Sequence, residues 1–291
     1  MIRSLLFMPG NSPAMLLNAD IHGADAVIFD LEDAVAPAQK DAARILTRNA
    51  LSAMDYQNIQ VVVRANPLGS AYLADDLAAI VPLQPFAILA PKVGTAEDAR
   101  AVSRMIAQIE EARGLPGNAV GLIALIETAE GVENAYAIAK ADPRVIGVLL
   151  GAEDLSSDLQ AARSKSGIEI AYSRGRVVVA ARAAGVDAYD TPFTDVNDDE
   201  GALNDARLAR SLGFSGKAAI SPRHVSPINR AFSPSEEEIE YAREVLQTIE
   251  EAVRLAKGAA SLRGKMIDKP VVDRARRILE LAKQLGGALR E

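Results

Sequence analysis

Short apolar runs alternate with longer amphipathic stretches along this chain, and that alternation predicts βα units around a parallel sheet. Eight runs stand out, at 4–8, 26–30, 60–64, 87–90, 121–126, 145–150, 187–189 and 217–220. Several are apolar at nearly every position, as strands buried on both faces should be. Between them, 38–53, 96–112, 135–141, 172–184 and 200–212 read as helices. Pro37 opens one of these, and Gly114, Gly185 and Gly213 follow the ends of three others, the usual places for proline and glycine. Eight strands with no leading glycine-rich nucleotide loop favour a closed (β/α)₈ TIM barrel, of class α/β, over an open doubly wound sheet.

Such a barrel takes about 250 residues, so a chain of 291 leaves roughly 40 over. After the eighth run, 234–257 predicts a helix, with Ser235 as N-cap and Glu236, Glu237 and Glu238 in its positive first turn. A small-residue link at 258–264 follows, then 265–272 and a terminal helix to about 285. The chain therefore divides into a barrel domain, 1–257, and a C-terminal helical arm, 258–291.

Composition narrows the function. Hydrophobic residues make up 49% and aromatics only 4%, with no Trp, so aliphatic side chains must build the core. Thirty-two basic against 39 acidic side chains give −7, with no long basic run, which argues against a nucleic-acid partner. No apolar run reaches the ~20 residues that cross a membrane. The opening MIRSLLFMPGNSP is interrupted too early by Pro-Gly to be a signal peptide. With no cysteine, disulfides, thiolate metal sites and cysteine nucleophiles are excluded. The expectation is a soluble, cytoplasmic protein with no nucleic-acid or membrane partner.

The C-terminal ends of barrel strands form the active face, and polar residues collect there. Glu127 and Asp154 follow the fifth and sixth runs, which sets them side by side over the mouth. Two carboxylates, completed by water and substrate oxygens, are a usual way to hold Mg²⁺. The alternative is that each caps the following helix, but Thr128 and Ser156 or Ser157 can do that instead. Arg64 ends its run, and its fork matches a substrate carboxylate; the alternative is an internal salt bridge to Asp30 or Glu32. In extended geometry Asp30 and Glu32 share a face and Asp33 opposes them. They serve to hold metal-bound water, pair with Arg64 or act as a base, or else Asp33 caps the helix near Pro37. Lys92 is placed to form an imine with a carbonyl substrate or to neutralise the carboxylates. Lys217 opens its run and belongs at the opposite, stability face. His22 and His224 read as surface residues rather than catalysts. With neither a G-x-S-x-G elbow nor a P-loop, a serine hydrolase or a phosphoryl-transfer enzyme has no footing.

At these strand ends the sequence resembles the citrate lyase beta-subunit branch of the citrate-lyase-like and malyl-CoA-lyase-like barrel enzymes. The matching stretches include RSLLFMPGN, ADAVIFDLEDAVAPAQKDAAR, VVVRAN, LAPKV, LIALIETAEGVENA, IGVLLGAEDLSSDL, AAGVDAYDTPFTDVNDDEG, LGFSGKAAISPRHV and GKMIDKPVVDRA, in family order from residue 3 to 275. The resemblance implies a Mg²⁺-dependent carbon–carbon lyase acting on a 3-hydroxyacyl thioester. By motif, Glu127 and Asp154 fall on the metal ligands, and Arg64, Glu127, Gly10 and Lys92 on substrate contacts. Arg64, Glu32, Asp33 and Asp268 are the catalytic candidates; the last three compete for the role of base. Asp268 lies in a tail that, in relatives, reaches a neighbouring subunit's site, and the family commonly forms trimers or trimer pairs. Ser221 stands where relatives often have His or Asn, and Asp33 where the hydroxy-diacid aldolase branch has a histidine.

The expected reaction is cleavage of a citryl thioester, on acyl-carrier protein or coenzyme A, to oxaloacetate and an acetyl thioester. A homo-oligomer, alone or within a citrate lyase complex, would carry it out. The rivals are a malyl-CoA or citramalyl-CoA lyase, a Schiff-base aldolase using Lys92, and a non-catalytic subunit that only binds the carrier.

Overall fold

The computed structural model describes residues 1–56, 58–254 and 260–287. Eight parallel strands close into a barrel in sequence order: β1 (Ser4–Pro9), β2 (Ala26–Asp30), β3 (Gln60–Arg64), β4 (Ala87–Ala90), β5 (Gly121–Ile126), β6 (Val145–Leu150), β7 (Asp187–Asp190) and β8 (Gly216–Ala219). The expected fold is borne out, and strand ends differ from the expected ones by at most a residue.

Side chains two apart along a strand share a face. The inward rows include Leu5, Ala26, Ile28, Val62, Leu89, Ile123, Leu125 and Leu149, all in one buried cluster. Each large aliphatic side chain there contributes about 1.5–3 kcal/mol by leaving water. Continuing each row by two residues gives Asp30 after Ile28, Arg64 after Val62 and Glu127 after Leu125. The polar residues of the mouth are thus the next steps of the rows that fill the core.

The helices end as their glycines predict: Gly114, Gly185 and Gly213 all sit in left-handed backbone at C-terminal ends. Thr95 and Asp98 close a capping box on Ala96–Arg113. The helix expected at 135–141 is Ala135–Ala139, and a separate short helix, Ala129–Glu133, precedes it. The break falls at Asn134, whose side-chain amide donates to the Gly94 carbonyl at 2.9 Å.

The chain forms two compact units, Ile2–Arg230 and a second beginning at Ala231. The second contains the helix Glu236–Arg254, an antiparallel hairpin of β9 (Ala260–Leu262) and β10 (Lys265–Ile267), and the helix Lys269–Gly287. Ser235 caps the first of these, accepting from the Glu238 amide at 3.1 Å while its own amide donates to the Glu238 carboxylate at 2.8 Å. The boundary expected at 257 moves to 230/231 because Ala242, Val245 and Ala252 share one core with Ala260, Ile267, Val272 and Ala275. Positions 255–257 of the expected helix and 258–259 of the link lie outside the described residues. Among the described residues no helix is long and apolar enough to cross a membrane.

Candidate active site at the barrel mouth

A cavity of about 340 Å³ opens at the C-terminal ends of the strands. Arg64, Asp30, Asp33, Glu127 and Asp154 line its polar side, and Phe7, Met8, Leu125, Leu149, Pro192 and Ile220 its apolar side. Arg64 is 9% exposed. Its Nε and Nη2 donate to the two Asp30 oxygens at 2.7 and 2.6 Å, and its Cζ lies over the Phe7 ring, 5.1 Å from the ring centre. One edge of the guanidinium is therefore committed. Nη1 faces Glu32 at 3.0 Å and Asp33 at 3.6 Å. The internal salt bridge and the mouth-facing arginine, weighed as alternatives, coexist.

Beyond Asp30 the chain leaves extended geometry. Asp30 accepts from the Glu32 and Ala34 amides at 2.9 and 3.0 Å, which folds the loop back over the strand end. Asp33 consequently comes to the same side as Glu32, against the expectation that it would oppose it. Lys40, buried, donates to the carbonyls of Leu31 and Glu32, both at 2.7 Å, and ties this loop to its helix. Lys92 sits in left-handed backbone, φ 56°. That turn aims its amide at Glu127 Oε1, 2.7 Å away, while its Nζ lies 3.4 Å from Glu32 and 4.0 Å from Asp154.

Five carboxylates, Asp30, Glu32, Asp33, Glu127 and Asp154, surround these two cations. Glu127 is 4% exposed, and its pKa is pushed up to about 8 by burial, reinforced by the Glu32 and Asp154 charges. Burial also raises Glu32, against the opposing Arg64 charge, and Asp33 adds to the rise. Both Glu32 oxygens are buried without a well-directed hydrogen bond. Gly151 keeps the space beside Glu127 open, since a Cβ there would lie 2.8 Å from Glu127 Oε2. A crowded carboxylate cluster in which Glu127 is repelled by Glu32 and Asp154 fits a divalent cation, which would relieve the repulsion. No group of three or more His, Cys, Asp or Glu among the described residues is arranged as an all-protein metal cage. A pair of carboxylates that leaves positions for water and substrate is the arrangement that Mg²⁺ uses.

The remaining candidates fall as follows. Thr128 caps Ala129–Glu133, accepting from the Gly131 amide at 3.0 Å, so Glu127 is free of that duty. Ser156 and Ser157 lie inside Ala152–Asp158, whose N-cap is Gly151. Gly10 is placed for close packing: a Cβ there would meet the Asp30 carbonyl at 2.7 Å, and it is absent from the cavity wall. Asp268, in the second unit, is exposed and accepts from the Val271 amide at 3.2 Å at the start of Lys269–Gly287. Ser221 caps the turn Pro222–His224. His224 is fully buried against Phe193 rather than on the surface, and burial lowers its pKa. Lys217 is likewise wholly buried, near the start of β8 as expected, and pairs in register with Ser4, the first residue of β1, on one side and with Asp190, the last residue of β7, on the other. Thr191, which lines the cavity, was not among the sequence candidates. Its signal was available only as the residue after the β7 aspartate.

A barrel whose inward rows end in an acid-rich, arginine-bearing mouth is the scaffold of a carboxylate-dependent lyase or aldolase. Residues 3–222 match the HpcH/HpaI aldolase/citrate lyase family, and the chain belongs to that family. It is 43% identical to the citrate lyase subunit beta of Leuconostoc mesenteroides subsp. cremoris, over 96% of this chain and 93% of that one. The structure of CitE from Mycobacterium tuberculosis with magnesium, acetoacetate and coenzyme A superposes with a TM-score of 0.80, at 33% identity, covering 97% and 98% of the two chains. A citrate lyase beta subunit from the same organism, complexed with oxaloacetate and magnesium, gives a TM-score of 0.68 at 33% identity, over 79% of this chain and 96% of that one. The resemblance read from the strand-end motifs is borne out.

Proposed function

We propose that this chain is a Mg²⁺-dependent carbon–carbon lyase that cleaves a citryl thioester to oxaloacetate and an acetyl thioester. The observation that carries the reading is the buried Glu127, raised to about 8 by burial and by Glu32 and Asp154, in a cavity that Arg64 also lines. The magnesium, oxaloacetate and coenzyme A named in the similar structures support it.

Glu127 and Asp154 would hold Mg²⁺, which when bound acidifies the substrate hydroxyl and stabilises the oxygen of the departing keto acid. Arg64, fixed by Asp30 along one edge, binds a substrate carboxylate through Nη1. Glu32 takes the hydroxyl proton, and burial, which raises its pKa above the ordinary carboxylate value, makes it a stronger base than an exposed glutamate. The bond between the carbinol carbon and the thioester methylene then breaks. Its electron pair becomes the thioester enolate, which takes the proton back from Glu32 to give the acetyl group. Asp33 and Asp268 are the competing bases, the latter presented by a neighbouring subunit. Burial disfavours the charge on Lys92, but Glu32 and Asp33 outweigh it and hold its pKa above the ordinary value. An imine-forming lysine needs the reverse shift, so Lys92 here balances charge and contacts substrate. The assembly is a cytoplasmic homotrimer or hexamer, working alone on coenzyme A thioesters or in a citrate lyase complex on acyl-carrier protein.

The test is lysis of citryl-, malyl- and citramalyl-CoA, and of citryl-acyl-carrier protein, with Mg²⁺ or with EDTA. Citryl thioester cleavage that disappears in EDTA is expected. Preference for malyl- or citramalyl-CoA would move the chain to those lyases, and no cleavage of any thioester would overturn the reading.

A further inference from the structure

Behind the mouth lies a buried quartet of charges that the reaction does not use. Lys217 from β8 spends all three donors inside the protein: Asp190 at 2.6 Å, Asp205 at 2.6 Å and the Thr191 carbonyl at 2.5 Å. Arg174 donates to Asp190 at 3.0 and 2.9 Å and to Asp205 at 2.8 Å. Lys217 and Asp190 are wholly buried, and Arg174 and Thr191 are 1% exposed. Two cations against two carboxylates leave the quartet neutral, as burial demands.

One bond leads outward. Thr191, its carbonyl pinned by Lys217, accepts from the Ala152 amide through Oγ1 at 3.1 Å. Ala152 is the first residue of Ala152–Asp158, the helix that carries Asp154 in its first turn. Gly151, the N-cap, makes no side-chain cap bond there. The Thr191 hydroxyl therefore anchors the first amide of that helix, whose first turn is also tied through the Glu153–Arg163 pair at 2.9 Å. Asp154 itself is half exposed, its side chain 47% accessible and 4.0 Å from its nearest cation. Its placement follows the helix it stands on.

We infer that Thr191 and Lys217 are positioning residues for the cation site. Lys217 sets the Thr191 backbone, Thr191 sets the helix start, and the helix start aims Asp154 at Glu127. Lys217 lies outside the cavity wall, and Thr191, which lines it, acts on the site through the Ala152 amide. The inference rests on the proposed Glu127–Asp154 site.

Direct Mn²⁺ binding, followed by electron paramagnetic resonance of the free ion, tests it without reference to turnover. Loss of an outer hydrogen bond of this kind weakens a metal site about 10- to 100-fold. Thr191→Val, which keeps the volume and removes the acceptor, is expected to weaken Mn²⁺ binding by about tenfold or more. Thr191→Ser, which restores the hydroxyl, should bind within about twofold of the parent. The pair Lys217→Met with Asp205→Asn keeps the quartet neutral and should weaken binding in the same sense. If that pair fails to fold, the two Thr191 variants decide alone. Valine binding as tightly as threonine, or serine as weakly as valine, would overturn the inference. Asp154→Asn separates the two levels: if it loses Mn²⁺ while Thr191→Val does not, the positioning role fails and the cation site stands. If the parent chain binds no Mn²⁺, both fail.

Discussion

Glu110 and Glu127 are both buried glutamates of one barrel, 1% and 4% exposed, and their carboxyl groups are driven in opposite directions. Burial opposes ionisation of Glu110, but the Arg144 guanidinium at 2.6 and 2.7 Å and the amides of Val120 and Asn118 outweigh it. Its pKa falls below the ordinary carboxylate value. Arg144 is finished too, with bonds to Ser103 and the Val120 carbonyl. At the mouth, Glu127 receives one donor among the described residues, the Lys92 amide, and faces two repelling neighbours, Glu32 and Asp154. Burial therefore does not distinguish a structural carboxylate from a functional one. A completed set of donors does, because the satisfied group has nothing left to bind.

Breaking the completed pair should give the largest effect, and on stability alone. Glu110→Ala leaves Arg144 buried and unpaired, which costs about 3–5 kcal/mol; denaturant titration should show it, with turnover per folded molecule unchanged. Breaking the incomplete cluster should do the reverse. Glu127→Gln is expected to lower kcat by about 10²–10³-fold while the midpoint of unfolding does not fall.

The same substitution sharpens the contrast through pH. Between the ordinary carboxyl value of 4.5 and the folded value of about 8, the folded chain keeps a proton that the unfolded chain has lost. Stability of the metal-free protein thus falls as pH rises through that window and levels off above it. Glu127→Gln removes this loss, so at pH 8 the metal-free variant should melt higher than its parent by about 3 °C or more. At pH 4.5 the two should nearly coincide. Calorimetric scans at both pH values check this, and Mg²⁺ added to the parent at pH 8 should close the gap.

The smallest effect separates capping from catalysis at Asp268. Asparagine caps a helix about as well as aspartate, so Asp268→Asn should leave stability within about 0.5 kcal/mol. A severalfold fall in kcat would then report a carboxylate at work in a neighbouring site, and unchanged turnover would reduce Asp268 to its cap.

The barrel was legible because strands buried on both faces must be apolar at nearly every position. Arg64 and Glu127 were legible for the same reason, as polar breaks at the ends of such runs. What escaped the sequence depends on contacts between distant segments. Asp33 joins Glu32 only because Asp30 captures the Ala34 amide and folds the loop. Lys217 read as a residue of the stability face. Its partners Asp190 and Asp205 come from β7 and a later helix, and no spacing rule pairs them. The second unit's boundary was hidden in another way, since the helix Glu236–Arg254 carries an apolar face that names no partner. Only the shared core with Val272 and Ala275 assigns it.

The central claim is that the unfinished charges of the mouth are completed by a divalent cation held between Glu127 and Asp154. Crystals soaked in Mn²⁺ and measured for anomalous scattering test it most directly. The account predicts one strong peak bonded to oxygens of both carboxylates. An empty mouth at saturating Mn²⁺, or a peak bound elsewhere with Glu127 and Asp154 left unliganded, would contradict it.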